Sequence, residues 1–253
     1  MHQQNNGFLS TKPISFLLNG KAVECRPDDT ILEAAQHTFD AALIVSEPFA
    51  VAYGLEELLH TMIIDIGAGT TDICVMKGRL PNEDDQRTLT QAGDSIDEHL
   101  FRLVRERHPQ ASVSLHMVRG WKEEGSFVGE PLAPILVTAP VAGKPTRLDI
   151  TAEMRQSCEG ILPHLVESMF DLLSRVDPEY QERVRQNVVL SGGTGLIRGL
   201  GPRLERELQA VGGGKVRVVR DPIFVGSDGG LAIALDAPEG DWEKLATDEP
   251  RKR

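Results

Sequence analysis

Between Thr61 and Lys77 the chain reads TMIIDIGAGTTDICVMK, and its chemistry is concentrated in the middle. Gly67 and Gly69 let main-chain amides approach an anion, and Thr70 and Thr71 add hydroxyl donors. Asp65 and Asp72 bracket the turn with carboxylates suited to a hydrated magnesium ion. Such a turn cradles a phosphate, provided that something presents it rigidly. The apolar runs on either side, Met62 to Ile66 and Ile73 to Met76, predict the two strands of a buried hairpin.

Asp65 to Asp72 resembles the second phosphate motif of the actin/MreB superfamily. The wider stretch from His37 to Gly78 is similar to the bacterial actins that build magnetosome filaments. The resemblance covers about residues 37–235 and implies an α/β fold, ribonuclease-H-like and of the actin ATPase type. Its first subdomain is incomplete, and a small α+β insert is expected over residues 95–148. Residues 37–60 and 221–235 then belong to the remnant of the first lobe, and residues 61–94 and 149–220 to the second.

The resemblance also implies roles. Ser46-Glu47-Pro48 matches the start of the first interdomain connector, and Glu47 matches the glutamate that orients the attacking water in ATP hydrolysis. Asp65 matches the carboxylate at the magnesium, and Gly67, Gly69, Thr70 and Thr71 match the phosphate turn. Gly93-Asp94 matches a turn close to the nucleotide. Trp121 to Gly129 resembles the element whose Lys122-Glu123 pair faces the adenosine. LSGGTGLIRGL, with Gly192 and Gly193, resembles the adenosine motif, where backbone without side chains lets a flat base approach. Asp221-Pro222 with Val225 to Ala232 matches the second connector. The implied cofactors are ATP and Mg2+. On bare sequence Lys122 and Glu123 are surface charges and Glu47 complements a helix dipole.

The elements that must position these residues follow from pattern. Ala41 to Val45 suits a buried strand, and Phe49 to Leu59 a helix opened by Pro48. Gly78 to Gln91 reads as a solvated acidic loop. Ser95-x-x-Glu98 is a capping box for a helix that stops before Pro109. Ile135 to Val137 and Arg147 to Ile150 suit strands. Thr151 opens a long amphipathic helix kinked at Pro163, with Glu159 the one candidate on its core face for a ribose contact. Asn187 to Leu190 and Lys215 to Val219 suit strands flanking a helix over Gly201 to Val211. At the front, Asn19-Gly20 is a two-residue hairpin signal, and a helix over Ile31 to Gln36 completes a ββα unit resembling the opening of [2Fe-2S] ferredoxin-like domains. Only Cys25 is present there, so a cluster is not expected. From residue 236 the tail is polar.

With 27 Lys and Arg against 38 Asp and Glu, the net charge of -11 argues against unspecific binding to nucleic acid or anionic lipid. No run is long enough to span a bilayer and no signal peptide is recognisable, so the cytoplasm is expected. Cys25, Cys74 and Cys158 have no disulfide or zinc spacing. The resemblance departs from its family at one point. Members of the family carry an earlier strand-turn-strand phosphate loop with an Asp and Gly-Thr donors, and these 253 residues contain no such pattern. Three functions therefore stand open: an ATP-binding filament subunit with impaired hydrolysis, assembling with itself or with a full-length actin-like partner; a non-catalytic truncated paralogue that co-assembles with such a partner; and a small-molecule kinase of the same superfold.

Overall fold

The computed structural model describes residues 44–238 and the backbone of two earlier strands. Two compact units are present, Ser46–Ile233 and a second made of Met1–Val45 with Ala234–Arg253. In the latter, β1 (Ile14–Leu18) pairs antiparallel with β2 (Lys21–Cys25), Leu18 opposite Lys21, as the two-residue Asn-Gly signal requires. The helix expected over Ile31 to Gln36, the side chain of Cys25 and the tail beyond residue 238 lie outside the described residues.

The larger unit is built on a five-stranded mixed sheet of β3 (Leu59–Ile66), β4 (Thr71–Lys77), β5 (Gln86–Leu89), β8 (Val188–Ser191) and β9 (Val216–Val218). Across the sheet the order is β5-β4-β3-β8-β9. The first three strands are antiparallel neighbours, while β3, β8 and β9 run parallel. A β6-β7 hairpin (Leu136–Val141, Lys144–Asp149) forms a separate two-stranded sheet.

Strand alternation divides the core in two. Met62, Ile64, Ile66, Ile73, Val75, Val188 and Leu190 join the main cluster. That cluster is completed by α2 (Gly93–Arg107), α3 (Leu115–Gly125), α4 (Thr151–Glu159), α5 (Leu162–Ser174), α6 (Pro178–Arg185) and α7 (Leu200–Leu208). The opposite sheet face carries Ile63, Cys74, Met76 and Val189, which pack with Val51 and Ala52 of α1 (Glu47–Gly54). There α1 meets α8 (Val225–Asp236) so closely that a Cβ on Gly229 would overlap the Ala50 carbonyl. Burial pushes the Cys74 thiol up to about 12 and the Cys158 thiol to about 11, so both are inert core thiols.

Several expectations are corrected. Ile44 and Val45 are not in a strand, and Ile44 is 68% exposed, which removes the burial that would have favoured one. The first helix starts at Glu47 and ends at Gly54, well short of Leu59, because Glu56 takes a positive φ of 57° and Leu59 already belongs to β3. The supposed solvated loop contains a 3-10 turn (Glu83–Asp85) and the edge strand β5. Its Asp85 is buried, within 2.9 Å of Lys77 Nζ and 2.6 Å of an Arg79 nitrogen. Burial raises that carboxyl, but the Asn82 amide, Lys77 and Arg79 outweigh it and hold the group below its ordinary range.

Ser95 is not the N-cap of α2. The helix begins two residues earlier, and Ser95 Oγ reaches back, accepting from Ala92 N and donating to Ala92 O. The long helix is broken rather than kinked: α4 ends at Glu159, Gly160 turns the chain, and Pro163 sits in the first turn of α5, where its missing N-H breaks no hydrogen bond. The helix expected up to Val211 stops at Leu208 and closes in a 3-10 turn, Gln209–Val211.

Candidate functional site

The register of the sheet sets a polar row across four strands. Thr88 of β5 pairs with Asp72 of β4, Asp72 with Asp65 of β3, and Asp65 with Ser191 of β8. Alternation places Asp65 with Ile63, Asp72 with Cys74 and Ser191 with Val189, all on the α1 face. That is the face on which Glu47 begins α1, near enough for its charge to be felt at Asp65.

Asp65 is 4% exposed. Burial, with smaller contributions from Glu47 and Asp72, pushes its carboxyl up to about 6, although Ser191 draws it down. Two carboxylates directly opposed across neighbouring strands repel, so the site stores unfavourable charge that a cation would relieve. Asp72 accepts from Thr70 Oγ1 at 2.9 Å and from Thr88 Oγ1 at 2.5 Å. No group of three or more Asp, Glu, His or Cys among the described residues is arranged to enclose a metal.

The turn after β3 is closed by Gly67 N donating to Thr70 O at 2.9 Å. Its carbonyls are used as well: Gly67 O accepts from Gly93 N at 3.1 Å and from Thr194 Oγ1 at 2.9 Å, and Ala68 O accepts from Asp94 N at 2.7 Å. Thr71 is buried, its hydroxyl donating to Gln91 O at 2.7 Å, which ties the strand end rather than facing the turn. Gly192 has φ 79° and ψ 155°, and a Cβ there would overlap Ile66. This contact brings the turn after β8 against the end of β3. Gly69 and Gly193 differ from it, since a Cβ on either would meet nothing within 4 Å. They border open space.

A depression of about 440 Å³ is lined by Gly67, Ala68, Asp94, Arg119, Lys122, Glu123, Gly193 and Thr194, among others. It brings together residues from five separated stretches, Gly67, Lys122, Glu123 and Gly193 being those predicted from sequence. Glu47 and Asp72 line another depression of about 410 Å³. Glu159 lines neither. Its Oε1 accepts from Gly129 N at 3.0 Å, and its surroundings are Leu162, Pro163, Val166, Arg203 and Glu207.

Sequence reasoning placed Gly93-Asp94 near the nucleotide but missed Asp97 and Arg119. Lys122, read as a surface charge on bare sequence, is only 12% exposed at its side chain and is held by Asp97 and the Gly93 carbonyl. The signal was present in the i, i+3 spacing of Arg119 and Lys122, which puts both cations on one helix face.

The sheet order, with three antiparallel strands followed by two parallel ones, and a glycine turn at the end of the first strand beside a second glycine turn, define an actin-type fold. The chain belongs to the MreB/Mbl family, whose model matches residues 23–237. It is 43% identical over 215 residues to the actin-like protein MamK of Paramagnetospirillum magneticum, an alignment that covers 85% of this chain and 62% of that protein. MreB of Escherichia coli is 27% identical over 202 residues, covering 76% of this chain and 56% of MreB. Among solved structures, a MamK double helical filament superposes with a TM-score of 0.80 at 44% identity, over 82% of this chain and 64% of that one. A non-polymerising MamK variant bound to AMPPNP gives 0.73 at 44% identity, over 81% and 63%. The chain thus spans a little under two thirds of the length of the MamK proteins it matches.

Proposed function

We propose that this chain is an actin-like cytoskeletal filament protein of the MamK type, acting in the cytoplasm in magnetosome organisation, and that it binds ATP with magnesium. The observation that carries the reading is the meeting of Gly67, Lys122 and Gly193 around one depression, with Gly69 and Gly193 bordering open space. Gly67, Gly69 and Thr70 would face the phosphates, Asp65 the hydrated metal, and Lys122, Glu123, Gly192 and Gly193 the adenosine. Thr71 and Glu159 would contribute by holding backbone rather than by contact. The bound nucleotide would supply the phosphoanhydride, and Glu47, exposed at the start of α1, would accept a proton from water. The likeness to a MamK chain that binds AMPPNP supports the nucleotide, and the likeness to a MamK filament supports assembly.

We keep the domain division given above, with residues 37–60 and 221–235 as the remnant of a first lobe. Among the described residues, the groups that would face a triphosphate lie on one side of it, so hydrolysis by this chain alone is expected to be slow, in-line positioning being incomplete. A second reading, a truncated paralogue that assembles only with a full-length partner, is favoured by Ile223, Phe224 and Leu231, apolar side chains 64%, 58% and 59% exposed at and along α8.

Sedimentation and ATPase assays, alone and mixed with full-length MamK, test both. Nucleotide-dependent pelleting of this chain, alone or in the mixture, is expected, with turnover alone far below that of MamK. Glu47→Ala is expected to lower the remaining turnover about 100-fold. Robust turnover by the chain alone, lost in Glu47→Ala, would overturn impaired hydrolysis. No pelleting in any mixture would overturn the filament reading, and ADP release that depends on a small-molecule acceptor would point to a kinase.

A further inference from the structure

Asp97 lies outside both glycine turns, yet it is the most completely buried carboxylate near the depression, at 0% exposure. On α2 it sits one turn after Gly93, and it faces α3. Arg119 Nε donates to its Oδ2 at 3.1 Å, and Lys122 Nζ lies 2.8 Å from its Oδ1. Oδ1 accepts no well-directed hydrogen bond and faces the Lys122 ammonium by charge, while Arg119 holds Oδ2. Lys122 Nζ also donates to Gly93 O at 2.9 Å, while the Gly93 amide donates to Gly67 O, which accepts Thr194 Oγ1 as well. Arg119 has a further contact, a guanidinium nitrogen 2.8 Å from Asp94 Oδ1.

These bonds form one path. It runs from Lys122 at the base side of the depression through Gly93 to the phosphate turn at Gly67 and on to Thr194 beside Gly193. Gly93 has no room to yield: a Cβ there would lie 2.7 Å from Thr194 Oγ1 and 3.3 Å from the Ala68 Cα. An ammonium has three donors and a guanidinium five, so at least one N-H on Lys122 and part of the Arg119 fork are left for a ligand.

We infer that Asp97 is the positioning residue of the nucleotide site, holding Lys122 and Arg119 in place and tying the adenosine wall to the phosphate turn through Gly93. The inference rests on the nucleotide reading above. A buried carboxylate holding two cations at a pocket rim fixes their rotamers without touching the ligand, as outer-shell partners do at other binding sites. Arg119 is thereby added to the residues that face the nucleotide.

The test is a double-mutant cycle on the full chain, reading binding of adenosine and of ATP with magnesium by calorimetry, with thermal unfolding of each ligand-free variant. Asp97→Asn is expected to weaken adenosine about tenfold, as loss of a charged hydrogen bond does, and Lys122→Met to do the same. In the double variant the second change is expected to add little, because Asp97 acts through Lys122. Additive losses, or a loss in Asp97→Asn no larger than its fall in folded fraction, would show a merely structural residue and overturn the inference. Unchanged affinity in Asp97→Asn, with the wild type binding, would overturn it while leaving the nucleotide reading intact. A wild type that binds neither ligand would overturn that reading, and the inference with it.

Discussion

Asp65→Asn is expected to make the folded protein more stable at pH 7 while removing the magnesium-dependent part of nucleotide binding. The native carboxyl titrates at about 6 against 3.8 for the ordinary group, mainly because it is buried. A native state that holds its proton more tightly than the unfolded chain loses stability as pH rises between those values, and above about 6 the whole penalty is present. A shift of this size corresponds to about 3 kcal/mol. Asparagine has nearly the same shape and carries no charge to desolvate or to oppose Asp72. The variant should therefore melt several degrees higher at pH 7 and nearly level with the wild type at pH 4, where both side chains are neutral. Calorimetry should show adenosine bound as before and the magnesium dependence of ATP gone. A variant less stable at pH 7, or equal losses for adenosine and ATP, would mean that Asp65 is held for structure alone.

The two glycines after β8 should behave oppositely. Gly192→Ala places a Cβ against the Ile66 backbone in a conformation, φ 79° with ψ 155°, that is nearly closed to other residues. The overlap forces β8 away from β3 and breaks the alignment of Ser191 with Asp65. The expected loss is roughly 3 kcal/mol or more, seen in thermal or denaturant unfolding, with nucleotide binding lost alongside. Gly193→Ala adds the same methyl group into open space, so stability should stay within about 0.5 kcal/mol. Adenosine binding should nonetheless fall, because the methyl occupies the path of the base. Equal stability effects from the two substitutions would contradict the close approach of Gly192 to Ile66. Full adenosine affinity in Gly193→Ala would show that the space beside it is not the base site.

The glycine turn and its strands were legible because alternation and turn chemistry are local. Ile63, Cys74 and Met76 declare a buried hairpin within fifteen residues, and the turn between them admits few alternatives. The polar row was not legible. Asp65 becomes a perturbed acid only when β8, more than a hundred residues later, brings Ser191 opposite it and α1 brings Glu47 over the same face. Asp85 was lost for a related reason: inside an Asn-Glu-Asp-Asp run nothing distinguishes the one carboxylate that Lys77 and Arg79 take into the interior. Asp97 was concealed by its neighbours. Ile96 and Leu100 mark the apolar face of α2, and a charge between them reads as solvent-facing until α3 is known to cross there with Arg119 and Lys122. The boundaries that failed were set by backbone: the positive φ of Glu56 ended one helix early, and Gly160 before Pro163 made two helices of one.

The proposed adenine-nucleotide site would hold the base and, through the described residues, one side of the phosphates. Each charge-assisted hydrogen bond to phosphate contributes about 1.5 to 3 kcal/mol, so a one-sided grip should leave ATP bound only modestly better than adenosine. Calorimetric titration of the purified chain with ATP and magnesium, and separately with adenosine, measures this directly. The expected result is saturable one-to-one binding of both, micromolar to millimolar, with affinities within about 100-fold of each other. No saturable binding of either ligand at millimolar concentration would contradict the claim.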